Sequence, residues 1–127
     1  MKQVQGHILT ANGFVDGMLQ VQEGRIHRLQ GHVVDETVVR GSDKPLLLPG
    51  FVDLHVHGGG GRDAMEGGDA VTTLARLHAQ HGTTSLLATT MTAPMAEIQQ
   101  AVKAIGDHCR QRSSNAARVL GVHLEGP

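Results

Sequence analysis

Three residues carry ligand chemistry in a suggestive pattern: His55 and His57, separated by one residue, and Glu125 far along the chain. In an extended segment, residues two apart leave the same face, about 6.6 Å from each other along the backbone. Two imidazoles so placed can converge on one divalent ion, with bonds of about 2.0–2.1 Å for zinc. His-x-His alone is a weak signal, because two strand histidines can equally be satisfied by backbone groups or water. Three neighbouring features favour the ion. The pair stands at the C-terminal end of an otherwise apolar run, where barrel enzymes build their active sites. Gly58 to Gly61 follow at once, and glycine lets backbone approach a ligand closely. Glu125 ends a later apolar segment at the matching place. A carboxylate at such a strand mouth is paired, hydrogen-bonded or metal-bound, and the residues alone leave that choice open.

The neighbours have narrower roles. Asp53 shares the face of His55 and His57, where it either orients His55 from behind or forms an ion pair at the strand base, the reading favoured here. His123 reads as an outer partner of the site or a polar core residue rather than a ligand. Gly58 and Gly59 are candidates for a substrate loop whose N–H groups cradle an anion. No lysine follows the glycines in P-loop order, which excludes a nucleotide loop. His78 and His81 lie on or near a helix and read as structural. Cys109 falls on one stripe with Met95, Ile98, Val102 and Ile105, which makes it a small core-facing hydrophobe rather than a nucleophile.

Positioning these residues needs particular elements. After Leu46-Leu47-Leu48-Pro49-Gly50, the pattern predicts a strand with Phe51, Asp53, His55 and His57 on one face and Val52, Leu54 and Val56 on the other. A helix is predicted from Ala70 to about His81, with Asp69 as N-cap and Gly82 as the stop. Thr83 to Thr90 reads as a buried strand. A second helix follows, capped by Thr92 with Pro94 in its first turn and closed by Ser113-Ser114-Asn115. Ala117 to Leu124 supplies a third strand. Strand, helix, strand, helix, strand argues parallel βαβ packing. A complete (β/α)₈ barrel takes about 250 residues, so the chain reads as the front part of a longer one.

Before this, up to about Lys44, short apolar runs alternate with turn signals. Gly6 to Leu9, Asp16 to Val21 and Arg25 to Leu29 are separated by Ala11-Asn12-Gly13 and Glu23-Gly24. Val33, Val34, Val38 and Val39 predict a further strand or two. This is a small antiparallel β unit.

Composition excludes several classes. Eleven Lys and Arg against 12 Asp and Glu leave no basic excess for nucleic acid or an anionic membrane. No apolar run reaches the ~18 residues of a spanning helix, and the N-terminus lacks a secretory apolar core. The single cysteine fits a reducing compartment, so a cytoplasmic location is expected. Glycine is abundant at 17 residues, yet the chain is 39% hydrophobic, which points to specialised loops rather than disorder.

The series Pro49-Gly50-Phe51-Val52-Asp53-Leu54-His55-Val56-His57-Gly58, His81-Gly82-Thr83-Thr84-Ser85, Ala88-Thr89-Thr90 and His123-Leu124-Glu125-Gly126-Pro127 resembles the N-acetylglucosamine-6-phosphate deacetylases of the amidohydrolase superfamily. The resemblance spans the chain and is strongest from Leu48 onward. It implies an α/β fold, with residues 1–47 as part of a small β-sandwich and residues 48–127 as the first three strands and two helices of a (β/α)₈ TIM-type barrel. It implies a divalent metal, zinc foremost, as one ion or two. His55, His57 and Glu125 are its expected ligands, Glu125 matching the glutamate that replaces the carboxylated lysine of other amidohydrolases. Further histidines and the general acid/base aspartate are expected beyond residue 127, so no catalytic residue is assigned within the chain and the isolated piece is expected to be inactive. An amino-sugar phosphate substrate and a homodimer of the full-length protein are implied as well. Two alternatives remain: another amidohydrolase, such as a cyclic amidase or isoaspartyl dipeptidase, and a non-catalytic structural or interaction fragment.

Overall fold

The computed structural model describes residues 1–111 and 113–126. The chain divides into two compact units, Met1–Pro49 and Gly50–Pro127.

In the first unit, β1 (Lys2–Thr10), β2 (Gly13–Gln22) and β3 (Arg25–Val34) form an antiparallel meander, and the short β4 (Leu46–Leu47) pairs parallel with β1. The sheet order is β3-β2-β1-β4. The strands run longer than the apolar runs alone indicate, because ladder pairing carries the polar residues at their ends. Glu23 and Gly24 both have positive φ, 52° and 75°, as a two-residue turn matched to strand twist requires. Gly6, Gly17 and Gly31 stand in register across three strands. A Cβ at any of them would collide with a neighbouring backbone carbonyl, so the row lets the strands close in. Lys44 Nζ reaches Asp16 Oδ2 at 2.6 Å and ties the loop before β4 to β2.

Val38 and Val39 are helical, not extended. Asp35 Oδ1 accepts the Thr37 N–H at 2.9 Å and starts α1 (Glu36–Arg40). The local cap outweighs the β preference of two valines.

The second unit contains β5 (Phe51–Val56), the hairpin strands β6 (Gly58–Gly59) and β7 (Arg62–Asp63), a 3₁₀ turn (Ala64–Glu66), α2 (Asp69–Gln80), β8 (Thr83–Thr89), α3 (Met95–Arg110) and β9 (Arg118–His123). Strands β5, β8 and β9 make a parallel sheet in that order, each crossover carrying a helix, as the alternation predicts. Val56, Leu86, Ala88 and Val119 from the sheet pack with Val71, Leu74 and Ala75 of α2 and Ile105 of α3. Cys109 is half-buried against this core, in keeping with the hydrophobic reading.

Some local expectations change. Asp69 is the first residue of α2 rather than its cap; Gly68 takes that position with φ 50° and no side-chain bond. Capping chemistry appears one element earlier, where Asp63 and Glu66 form a reciprocal capping box around the 3₁₀ turn. Thr92 does not cap α3 either. Pro94 is the N-cap and its carbonyl accepts from Glu97 N at 2.9 Å. A side chain at Gly126 would collide with Thr92 Oγ1, which puts that threonine against the Glu125–Gly126 bend. The strand carrying the histidines ends at Val56, one residue before His57. Among the described residues it is an edge strand, and Val52 and Leu54 are 58% and 60% exposed. Among the described residues no helix is long and apolar enough to cross a membrane.

The core makes a direct prediction. Leu74 is fully buried, so Leu74→Ala is expected to lower the urea-unfolding free energy by about 2–5 kcal/mol. A loss under about 1 kcal/mol would mean that this helix–sheet interface is not the core.

Candidate metal centre

Three parallel strands bring their C-terminal ends to one side, and the candidate ligands sit there. His55 lies in β5 and His57 one residue beyond it, while Glu125 lies two residues beyond β9. β8 separates the two groups in the sheet. His55 Nε2 and His57 Nε2 are 3.0 Å apart. Glu125 Oε2 lies 2.9 Å from the first and 3.0 Å from the second. The three atoms therefore form a nearly equilateral triangle.

Glu125 Oε2 is inaccessible to solvent and makes no hydrogen bond among the described residues, although two ring nitrogens lie within 3.0 Å of it, where a protonated imidazole would form an ion pair with it. A four-coordinate ion with bonds of about 2.0–2.1 Å separates its ligands by about 3.3 Å, so the triangle fits within a few tenths of an ångström. Two imidazole nitrogens and a carboxylate suit zinc or another first-row divalent ion better than a hard all-oxygen ion. The side chains of His55 and Glu125 are about half exposed, 54% and 46%, which leaves the site reachable.

The surrounding residues divide sharply. Asp53 Oδ1 accepts the backbone N–H of His55 at 3.1 Å. It makes no ion pair among the described residues and does not bond the imidazole; the short side chain closes a local turn onto the backbone. The His123 ring packs on His55, centroids 4.7 Å apart, and its buried Nδ1 has no partner among the described residues. It stands beside the triangle rather than in it.

Gly58 and Gly59 lie in a hairpin. They form β6 and pair with β7 in register Gly58↔Asp63 and Gly59↔Arg62, with Gly60 and Gly61 turning at φ 65° and 75°. A Cβ at Gly58 would strike the Arg62 carbonyl, and one at Gly59 would come within 3.2 Å of His78 Nε2. His78 itself bonds the Gly58 carbonyl oxygen at 3.1 Å, so the residue read as structural anchors the hairpin that follows His57. His57 is held too, its carbonyl accepting the Ala64 N–H at 2.7 Å.

Two residues of the site escape the sequence reading. Thr89 and Thr90 are fully buried at the end of β8. Thr89 Oγ1 accepts the Val56 N–H at 2.9 Å, and Thr90 Oγ1 accepts the Glu125 N–H at 3.2 Å. Their signal was available: two successive hydroxyls closing an apolar strand between two ligand-bearing ones.

The hairpin is clasped by Glu66, which accepts the Asp63 N–H and the Arg62 guanidinium, each at 2.7 Å. The Asp63 N–H first, then Arg62, hold the Glu66 carboxyl below its ordinary value of 4.5. The folded value is lowered, so the clasp's contribution is complete above 4.5 and is lost as the pH falls through the depressed value. Amide shifts of Gly60 and Gly61 are expected to report that low-pH transition. It should vanish in Glu66→Gln, and a transition unchanged by the substitution would detach the hairpin from this carboxyl.

No protein-family model matches the chain. Individual relatives do. It is 40% identical over 122 residues to an N-acetylgalactosamine-6-phosphate deacetylase of Escherichia coli O157:H7, covering 94% of this chain and 31% of that protein. The crystal structure of N-acetylglucosamine-6-phosphate deacetylase from Thermotoga maritima matches with a TM-score of 0.77 at 30% identity, over 99% of this chain and 32% of that one. A mutant of the Mycobacterium smegmatis N-acetyl-D-glucosamine-6-phosphate deacetylase, in complex with N-acetyl-D-glucosamine-6-phosphate, matches with a TM-score of 0.75 at 26% identity, over 98% and 32% of the two chains. The chain thus spans about a third of the length of the curated relatives it matches.

Proposed function

We infer that this chain is the N-terminal portion of a metal-dependent deacetylase that converts N-acetylglucosamine-6-phosphate to glucosamine-6-phosphate and acetate, a step of amino-sugar catabolism. The observation that carries the reading is the triangle of His55 Nε2, His57 Nε2 and Glu125 Oε2, with sides of 2.9–3.0 Å and a solvent-inaccessible, unpaired carboxylate oxygen. The names of the relatives supply the substrate class. In this reading residues 1–47 contribute to a β-sandwich and residues 48–127 begin a (β/α)₈ barrel. Parallel βαβαβ order with ligands at the C-terminal strand ends supports that assignment. The whole protein is a cytoplasmic homodimer, and its metal is zinc, as one ion or two.

A divalent ion held here supplies Lewis acidity, which lowers the pKa of a water and polarises the acetamide carbonyl. The chain's own contribution is to bind and orient. His55 and His57 present Nε2 from one strand end, and Glu125 brings a carboxylate from the far side of β8. The Ala64 N–H on the His57 carbonyl and the Asp53 carboxylate on the His55 N–H fix the backbone that carries the two rings. The His123 ring lies tilted against His55, centroids 4.7 Å apart and planes inclined at 54°, and limits how that ring can turn. The general acid/base that the resemblance implies is not among these residues, so the chain alone is expected to bind metal without turning substrate over.

Acetate release from N-acetylglucosamine-6-phosphate by the gene product that contains this chain tests the reading. A strong chelator is expected to reduce the rate at least ~100-fold, with recovery on adding zinc, and His57→Ala combined with Glu125→Ala should do the same without recovery. A rate indifferent to both would refute the metal assignment. Running N-acetylgalactosamine-6-phosphate alongside decides which sugar is preferred, since both appear among the relatives' names.

A further inference from the structure

Among the hydrogen bonds of the second unit, those of Thr89 and Thr90 are unusual in their targets. Both side chains are 0% exposed, adjacent in sequence, and located where β8 ends between the two ligand-bearing strands. Thr89 Oγ1 accepts from Val56 N, the one residue between His55 and His57. Thr90 Oγ1 accepts from Glu125 N, the backbone of the third ligand. Thr90 also gives its own N–H to the His123 carbonyl at 3.0 Å, so it grips the segment leading to Glu125 twice.

Ladder pairing stops short of His57 and Glu125. Its register links β5 to β8 only as far as Val56↔Ala88, and β8 to β9 only as far as Thr89↔His123. His55 lies within the first of these ladders, one residue before its last pair, while His57 and Glu125 lie beyond the paired residues. The two hydroxyls add side-chain bonds on either side of the central strand, one at the last β5 pair and one just past the end of β9.

We propose that Thr89 and Thr90 are positioning residues that set the separation between the His55–His57 pair and Glu125, and with it the affinity of the site for a divalent ion. The proposal rests on the metal reading given above. Removing either hydroxyl leaves a backbone N–H without its partner and releases one side of the triangle. Outer partners that orient metal ligands are worth about 10–100-fold in affinity when removed.

The test is calorimetric titration of the chain with zinc and with cobalt(II). Thr89→Val and Thr90→Val keep the shape and remove the acceptor; each is expected to weaken binding ~10-fold or more and to alter the cobalt visible spectrum. Thr89→Ser and Thr90→Ser keep the hydroxyl and should bind within ~3-fold of the parent. Thr84→Val serves as the contrast, because Thr84 Oγ1 bonds the Phe51 carbonyl at 3.3 Å between the same two strands but at their opposite end. It should leave affinity unchanged whatever it does to stability. Valine variants that bind like the parent would overturn the proposal while leaving the metal site standing. A parent chain that binds no ion would overturn the metal reading and the proposal together. Should the valine variants not fold, amide exchange in the parent decides: Val56 and Glu125 amides are expected to be protected, and exchange as fast as an open loop would overturn the clamp.

Discussion

The parallel pairing of β8 with β5 on one side and β9 on the other sets the distance across which the candidate site is built. Neighbouring strands stand about 4.8 Å apart, so ligands on β5 and β9 begin nearly 10 Å from each other at the backbone. Imidazole and glutamate side chains are long enough to close that gap only when they leave the sheet at the same level and lean inward. The level is fixed by register, and the register by the apolar faces of Leu86, Ala88 and Val119 buried under α2 and α3. A slip of one residue in β9 would carry Glu125 to the opposite face, so the buried core specifies the polar site indirectly.

Electrostatics then makes the triangle informative. Three atoms bearing lone pairs, gathered at about 3 Å, repel one another unless a proton or a cation lies among them. A single proton between His55 and His57 satisfies one edge and leaves Glu125 Oε2 as it stands, close to two nitrogens and bonded to neither. A positive charge at the common focus satisfies all three at once. That asymmetry separates the arrangement from a surface cluster of acidic and basic groups, where exposed partners rotate into pairwise bonds and are worth little.

How far the sequence disclosed this depends on the kind of signal. The parallel sheet was legible because helical and strand periods alternate between Gly50 and His123, and burial enforces those periods. The grouping of His55, His57 and Glu125 was legible only in part: the His-x-His spacing marked the first two, while Glu125 joined them through the resemblance. Caps were not: Asp69 and Thr92 stand at helix starts with the right chemistry, yet Gly68 and Pro94 hold the cap positions, because the chain arrives in a conformation set by the preceding turn. The valines at 38 and 39 misled for a similar reason, a single aspartate three residues earlier being enough to start a turn of helix.

The glycine run shows best why a local motif needs its surroundings. Read alone, Gly58 to Gly61 suggests backbone laid open to a ligand. In the fold each glycine answers to a different contact: Gly58 to the Arg62 carbonyl, Gly59 to Leu77 and His78, Gly60 and Gly61 to a turn with positive φ at both positions. The run is a hairpin fastened to α2 by His78 and to its own base by Glu66. Its effect on the site is mechanical. It takes the chain away from His57 through a rigid turn, so that the ring at the end of β5 is held by structure on both its N- and C-terminal sides. A flexible loop in the same place would leave His57 to find its position at an entropic cost of about 1–2 kcal/mol for each residue ordered.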